Sequence, residues 1–573
     1  MIIITVMSVK DVMSSMVSSW STDESTGRWW NKYGDVVAGV ATAGIACGSV
    51  AIAARGTLLA YRAYAAGKPG GKGAIGEAPS ASFASEPATE DAAEDSSSPA
   101  RPPADQEDAE EASPKPPLPP SEAPRIASKV VKIWMREEGD LAPRSKLATK
   151  PALSYLDVFL EALDSQWSRR NPNGYVPLLI AENKLSADVI AKRVRKEARS
   201  VIPESALGYG SFRGSPEFRA AVASYASRTF ARGCTLAPED LCISAGCGAV
   251  IDNVCFAVCS AGDRILIPAP YYPAFDNDLR VRAGVQPTPV HATGGVGDVV
   301  GGALPSDADL ERAFAAEGGP ARVLLLTNPH NPMGVVVPFA EVVRCVRWAL
   351  GKGMHVISDE IYANSVYDPA GKAFRFTSVA SMLEAGTGLK ALREQERERV
   401  HVIFGFSKDL CASGLRVGCL YTKNDALLRA MDNLGYFGAV SGHTALLLQR
   451  MLEDASFVDT FLKTNAKRLK ESYAVVRAAL GRMAVPFVEA NAGMFVWIDL
   501  SAYLEAPTFE AERTLWNALA KEARVLFTPG EDCHAKRPGR FRVCFAWTSK
   551  EALAVGMKRL EIFLNKRKAI MAG

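Results

Sequence analysis

The chain has 573 residues, 66 Lys and Arg against 63 Asp and Glu, and a net charge of +3 at pH 7. A charge so evenly balanced gives no footprint for nucleic acid, which needs a concentrated basic face, and the 48% hydrophobic content is that of a globular chain. Eleven cysteines, odd in number and without a CxxC pair, argue against a disulfide framework and place the main domain in a reducing compartment.

Residues 1–67 hold an uncharged run, VVAGVATAGIACGSVAIAA (36–54), flanked by Asp35 and Arg55. Its length approaches the roughly 20 residues that span a bilayer, and it is taken as a candidate transmembrane helix, with a soluble or processed helix as the competing reading. If it spans, Arg55, Arg62, Lys68 and Lys72 put the C-terminal side in the cytosol, giving a cytoplasmic catalytic domain anchored by one N-terminal helix. A secretory signal fits poorly because the run starts far from Met1, and a transit peptide because Asp11, Asp23, Glu24 and Asp35 are acidic. Residues 68–125 are rich in Pro, Ala, Ser and Glu and cannot bury enough apolar surface to offset chain entropy. They read as a disordered linker, with PKPPLPP as a secondary candidate for a proline-rich ligand.

Residues 145–573 alternate short apolar runs with amphipathic stretches. LCIS (241–244), RILIP (264–268), VLLLT (323–327), HVISD (355–359), HVIFGF (401–406) and VGCLYT (417–422) are expected to be buried strands. Segments such as 339–350 between them are expected to be helices. This rhythm predicts an α/β unit with a mainly parallel sheet, in which ligands bind beyond the C-terminal strand ends.

The residues at those ends carry the chemistry. After LCIS, Gly246, Cys247 and Gly248 open an expected helix, 249–260, whose backbone N–H groups suit a phosphate. The same GCGAVI is also a partial dinucleotide fingerprint, with Asp263 as the ribose acid, though its third glycine is missing. Cys255 and Cys259, one helical turn apart, read as core thiols in preference to a metal pair, and no metal site is expected. After VLLLT comes NPHNPMG with Asn331. After HVIS come Asp359 and Tyr362. After HVIFGF come Ser407 and Lys408, with Arg416 eight residues on. A pyridine cofactor needs this set. A lysine binds it covalently, an acid keeps the ring nitrogen protonated so that the ring draws electrons, and donors hold the phenolic oxygen. An arginine and a helix start hold its phosphate. Asp359 as a helix cap and Lys408 as a solvated charge are the bland alternatives.

Taken together, AENKLSAD (181–188), PAPYYPAFD (268–276), TNPHNPMG (327–334), SDEIY (358–362), SKDLCASGLRVG (407–418), GMFVWIDL (493–500) and TPGEDCHAKRPGRFRVCFA (528–546) resemble the class I/II pyridoxal-phosphate aminotransferases. More narrowly they are similar to the 1-aminocyclopropane-1-carboxylate synthase-like branch. The resemblance covers nearly all of 150–570. It implies the PLP-dependent transferase fold type I, with a seven-stranded, mainly parallel sheet in a large part (about 200–430) and a smaller α/β part (about 145–199 plus 431–573). It also implies a homodimer and an amino-acid substrate.

Carried over residue by residue, the resemblance makes Lys408 the catalytic lysine and the proton carrier at the substrate α-carbon. Asp359 pairs with the pyridine nitrogen, Asn331 and Tyr362 bond the phenolic oxygen, and Tyr272 stacks on the ring in preference to Tyr271. Ser407, Arg416 and the N–H groups around Cys247 and Gly248 face the phosphate. Tyr209 is the candidate cross-subunit tyrosine, Arg542 clamps the α-carboxylate, and Glu182 lines the substrate pocket. Departures from the family pattern are Gly405 for Ser, Gly248 for Thr, Asn277 for Arg, and Phe212 for Tyr. Three readings follow: transamination of an amino acid with a 2-oxo acid, the favoured one; ring closure of S-adenosylmethionine by the synthase reaction; and a non-catalytic, membrane-tethered relative.

Overall fold

Strand β5 (Ala321–Thr327) is apolar without a break from Val323 to Leu326 because the sheet that holds it is covered on both faces. The computed structural model describes residues 141–293, 304–367, 375–384 and 392–572. The run 36–54 and the linker 68–125 lie outside them. No helix among the described residues is long and apolar enough to cross a membrane.

The chain begins its pairing with β1 (Val176–Pro177), then enters the main sheet with β2 (Leu241–Ser244), β3 (Arg264–Ala269) and β4 (Gln286–His291). After β5 come β6 (His355–Asp359), β7 (Val400–Gly405) and β8 (Gly418–Thr422). The seven strands β2 to β8 lie in the order β2-β8-β7-β6-β5-β3-β4. Only β8 runs antiparallel to its neighbours. Alternate residues split between two cores. Leu324, Leu326, Val356, Val402 and Phe404 face one helix layer, while Val323, Leu325, Ile357 and Ile403 face the other. Removing one such side chain, Leu325→Ala for instance, leaves a cavity of the kind that costs about 2–5 kcal/mol.

The expected strands are all present, shifted by no more than a residue or two at their ends. Phe406, expected to end β7, instead opens the short helix Phe406–Asp409, and the expected helix 249–260 runs Cys247–Val258. Strand β4 was not anticipated. Its sequence QPTPVH carries Pro287 and Pro289, which cannot donate to a ladder, and the fold tolerates them because β4 is the edge of the sheet.

A second layer gathers β9 (Phe495–Asp499), β11 (Thr528–Pro529) and β12 (Arg540–Cys544) into an antiparallel sheet in the order β11-β12-β9. Its core includes Leu469, Val476 and Leu480 of the helix Ala455–Met483 and Leu553, Met557 and Leu560 of the C-terminal helix. Strand β10 (Val525–Leu526) pairs in parallel with β1. That pairing returns the segment preceding the large sheet to the segment that follows it, and so brings residues 178–182 to the C-terminal edge of the large sheet.

Candidate active site

Because β2, β3, β5, β6 and β7 are parallel, their C-terminal ends share one edge. The turns that follow them carry Gly246, Tyr272, Asn331, Asp359 and Lys408 to that edge. Strand β8 runs the other way, so the residues that lead into it, Arg416 among them, arrive at the same edge.

The first corner is a cradle. Gly246 has φ 91°, a left-handed backbone that a side chain would strain. A Cβ there would also lie 2.5 Å from a guanidinium nitrogen of Arg416. The helix Cys247–Val258 starts at this glycine, so free N–H groups and the positive end of the helix meet the arginine. Arg416 itself sits at φ 51°, with Nη1 donating to the Ser413 carbonyl at 3.0 Å. It forms no ion pair with an acidic side chain among the described residues. Ser407 is buried, and its carbonyl accepts from the Ser413 hydroxyl at 2.9 Å, which ties the lysine turn to the arginine turn. Cys247 fills this corner from beneath. Its Sγ donates to the Phe404 carbonyl at 3.2 Å and lies 2.9 Å from where a Cβ of Gly405 would stand. The absence of a side chain at 405 and the sulfur at 247 are therefore one packing solution. A Cβ on Gly248 would have only Asp278 within 4 Å, the nearest atom at 3.7 Å, so that position has room for a side chain it does not carry.

The centre holds Lys408 and Asp359. Lys408 Nζ donates to the Ala181 carbonyl at 2.5 Å. Burial holds its ammonium below the usual lysine range, against the pull of the Glu182 carboxylate. Asp359 is buried, with Oδ1 accepting from the Ile361 N–H at 3.3 Å. Burial pushes its carboxyl up to about 7, opposed by that N–H and by Lys408. A cation delivered to Asp359 would restore its charge. Tyr271 and Tyr272 have different surroundings. Tyr271 is locked away, its hydroxyl donating to Asp276 at 2.7 Å and its ring stacked on His534 at 4.4 Å. Tyr272 lies within electrostatic reach of Arg542, Asp359 and Arg416, and burial together with Asp278 pushes its hydroxyl up to about 12. Tyr362 is buried edge-on to Phe495 at 5.5 Å, and burial raises its hydroxyl well above the usual range.

The far wall is Arg542 on β12. It is 1% exposed, yet no carboxylate pairs with it among the described residues. Nη1 donates to Asn331 Oδ1 at 2.9 Å, and Nη2 to the Leu179 carbonyl and the Thr528 hydroxyl at 2.8 and 3.0 Å. The guanidinium lies over Phe495, 4.7 Å from the ring centroid, and Nε has no partner. Glu182 closes the near side, its Oε2 accepting from the indole N–H of Trp547 at 3.2 Å. Sequence reasoning missed Thr528, Leu179, Trp547 and Asp278. Thr528 opens the quoted segment 528–546 but carried no assigned role, and Leu179, Trp547 and Asp278 lie outside every motif and reach the site through tertiary folding.

Tyr209 is not at this site within one protomer. It is 96% exposed and touches Phe212 edge-on at 6.4 Å, on the outer surface. The dinucleotide reading is overturned. Asp263 directly precedes β3 and so lies at the opposite edge of the sheet, where its Oδ2 accepts from the Ser260 N–H at 2.7 Å. No metal-holding cluster of His, Cys, Asp and Glu occurs among the described residues, and Cys255 is a buried core thiol.

The sequence profile of the family described as aminotransferase class I and II matches residues 176–560. The chain belongs to that family. A 1-aminocyclopropane-1-carboxylate synthase from Glycine max is 34% identical over 414 residues, covering 70% of this chain and 83% of that protein. The 1-aminocyclopropane-1-carboxylate synthase 9 of Arabidopsis thaliana is 32% identical over 408 residues, with coverage of 69% and 84%. Among solved structures, the aspartate aminotransferase from Thermus thermophilus with maleate overlays with a TM-score of 0.59 at 22% identity, over 75% of this chain and all of that one. That likeness, with the order and direction of the seven strands, makes the fold type I of PLP-dependent enzymes. The protein is an enzyme of the synthase-like branch that uses pyridoxal 5'-phosphate, and it acts as either an aminotransferase or a synthase-type lyase on a small-molecule amino-acid substrate. The geometry fits the cofactor. A side-chain-free cradle with an unpaired arginine suits the phosphate, and a buried acid at the sheet edge suits the ring nitrogen. The partnerless Nε of Arg542 suits a carboxylate.

Proposed function

We propose that the enzyme transaminates an amino acid with a 2-oxo acid. Pyridoxal phosphate, when bound, supplies an electron-withdrawing ring that acidifies the α-carbon of an attached amino acid. The observation that carries the assignment of roles is the pair of arginines without carboxylate partners, Arg416 and Arg542, on either side of Lys408. A buried cation such as Arg542 without a counter-charge is costly unless a ligand brings one, and the exposed Arg416, beside the helix start at Gly246, would meet a phosphate bound there.

In this reading Lys408 binds the cofactor and moves the proton at the substrate α-carbon. Burial lowers its basicity from the usual lysine range, which suits an amine that must accept a proton. Asp359 holds the proton on the ring nitrogen. Asn331 has its Oδ1 engaged by Arg542, which turns the Nδ2 hydrogens toward the phenolic oxygen alongside the Tyr362 hydroxyl. Tyr272 covers the ring face. Ser407, Arg416 and the N–H groups at Gly246, Cys247 and Gly248 take the phosphate. Arg542 fixes the α-carboxylate by its fork, and Glu182 lines the pocket.

Two copies of the chain would complete the site. Leu207, Tyr209, Tyr436 and Phe437 form an exposed apolar patch. The patch continues through Gly438, whose carbonyl accepts from the Ala245 N–H at 2.7 Å at the cradle. A partner's tyrosine at position 209 would thus be presented to the phosphate.

Ring closure of S-adenosylmethionine is the second reading, favoured by the 32–34% identity to synthases. The two are separated by incubating the enzyme with a panel of amino acids plus a 2-oxo acid, and in parallel with S-adenosylmethionine alone. Amino-group exchange without methylthioadenosine supports the proposal, and cyclopropane amino acid with no exchange reverses it.

A further inference from the structure

The Glu182 carboxylate acts electrostatically on Lys408, yet its charge is shared. Lys184 Nζ lies 3.5 Å from Glu182 Oε2, with the two side chains 46% and 33% exposed. The same ammonium sits 3.8 Å from the ring centroid of Trp547, the residue whose indole N–H donates to that same Oε2. The backbone fixes this arrangement. The Lys184 N–H donates to the Ala546 carbonyl at 2.8 Å, and the Ala181 carbonyl accepts from Lys408. Segment 181–184 is thereby pinned between the reacting lysine and the turn that carries Trp547. One carboxylate thus faces two ammonium groups, Lys408 inside and Lys184 at the rim.

We infer that Lys184 is a specificity-determining residue of this pocket. It offsets the charge of Glu182, so the mouth favours amino acids with neutral or acidic side chains over cationic ones. A cationic substrate would have to compete with Lys184 for Glu182 and would meet like-charge repulsion from it. An acidic side chain would find an ammonium already held in place by an indole face. The inference rests on the proposed placement of Arg542 and Lys408 around the substrate backbone, because only that placement turns the side chain toward Glu182.

The test measures equilibrium binding to the full-length, cofactor-loaded enzyme, by titration calorimetry and by the change in the cofactor's absorbance. The probes are S-adenosylmethionine, L-methionine and L-glutamate. In Lys184→Gln the affinity for S-adenosylmethionine, relative to methionine, rises roughly fivefold, the size expected of a partly exposed charge pair. The affinity for glutamate relative to methionine falls by a similar factor. Lys184→Arg keeps both ratios at their starting values, and Glu182→Gln shifts the S-adenosylmethionine ratio the opposite way. Ratios that stay within twofold in Lys184→Gln overturn the inference and leave Lys184 a packing partner of Trp547. If the unmodified enzyme shows neither heat nor spectral change with these three or with any amino acid of the transamination panel, the proposed function fails and takes the inference with it. The two failures are therefore distinguishable.

Discussion

Arg542 shows how much a single residue can say about a missing ligand. Its guanidinium is fully enclosed and satisfied only by neutral acceptors, Asn331, Leu179 and Thr528. Burying a cation this way costs free energy that a bound carboxylate recovers. Arg542→Lys keeps the charge but loses the planar fork. The expected result is a rise of about 30- to 100-fold in KM for the amino acid, equivalent to ~2–3 kcal/mol from one charge-assisted hydrogen bond, with cofactor binding retained. An unchanged KM would remove Arg542 from the substrate site. Asp359 makes the complementary prediction. Burial, opposed by the Ile361 N–H and by Lys408, leaves its carboxyl raised to about 7, and a protonated ring nitrogen beside it would hold it charged. Asp359→Asn keeps the shape without the charge, and turnover should fall by at least about two orders of magnitude. Near-normal turnover with cofactor bound would mean that another group supports the ring. Gly405 and Cys247 give a third prediction at this scale. Gly405→Ser places a Cβ within 2.9 Å of the Cys247 sulfur and 2.8 Å of the Val417 carbonyl. It should destabilise the fold by about 1–3 kcal/mol, and Cys247→Ala in the same chain should recover part of that loss. Additive effects in denaturant melts would show that the two sites are not coupled.

At the scale of elements, the sequence was informative where one chain segment carries both the structure and the chemistry. The apolar runs of β2, β3, β5, β6, β7 and β8 are long enough and uniform enough to read, and the residues after the parallel strands, like those before the antiparallel β8, fall at one edge. Strand β4 escaped because its prolines argue against a strand anywhere but an edge. The Glu182–Trp547 and Arg542–Asn331 contacts escaped for a different reason. They join residues hundreds of positions apart, and no spacing rule reaches that far.

One element pair suggests a pH effect at the opposite end of the sheet. His355 of β6 and His401 of β7 stack with ring nitrogens 3.0 Å apart, and His401 Nδ1 lies 2.8 Å from the Thr422 hydroxyl. Burial lowers His355 to about 4, with Arg322 and Arg399 adding to the effect, and lowers His401 to about 3. A histidine with a depressed folded-state pKa contributes stability that is fully present above about 6.5 and is lost as pH falls toward 4. Asp359, Glu360, Asp409 and Glu512, each raised to about 7 by burial, act in the opposite sense over the same window. The histidine contribution is therefore isolated by subtraction. The stability of the native chain minus that of a His355→Asn/His401→Asn double variant should shrink by on the order of 2 kcal/mol between pH 6.5 and 4. A difference that does not vary with pH would show that the pair does not titrate with folding.

For the whole molecule, the site is proposed to lie between two copies. Tyr209, Tyr436 and Phe437 are exposed, as a surface covered by a partner would be when alone, and the neighbouring Gly438 accepts from the Ala245 N–H next to the proposed phosphate cradle. Lys408→Ala and Tyr209→Ala would each weaken or abolish activity alone. Mixing them, after mild unfolding and refolding, should restore a hybrid dimer with one intact site and up to about a quarter of native activity. No recovery beyond the sum of the two variants would confine the site to a single chain. The claim on which all of this stands is that Lys408 is the residue that holds the cofactor. The direct measurement is borohydride reduction of the purified protein followed by peptide mapping. The account predicts loss of the visible absorbance and a pyridoxyl group on the peptide spanning GFSKDL, at Lys408; a label on any other lysine, or none at all, would contradict it.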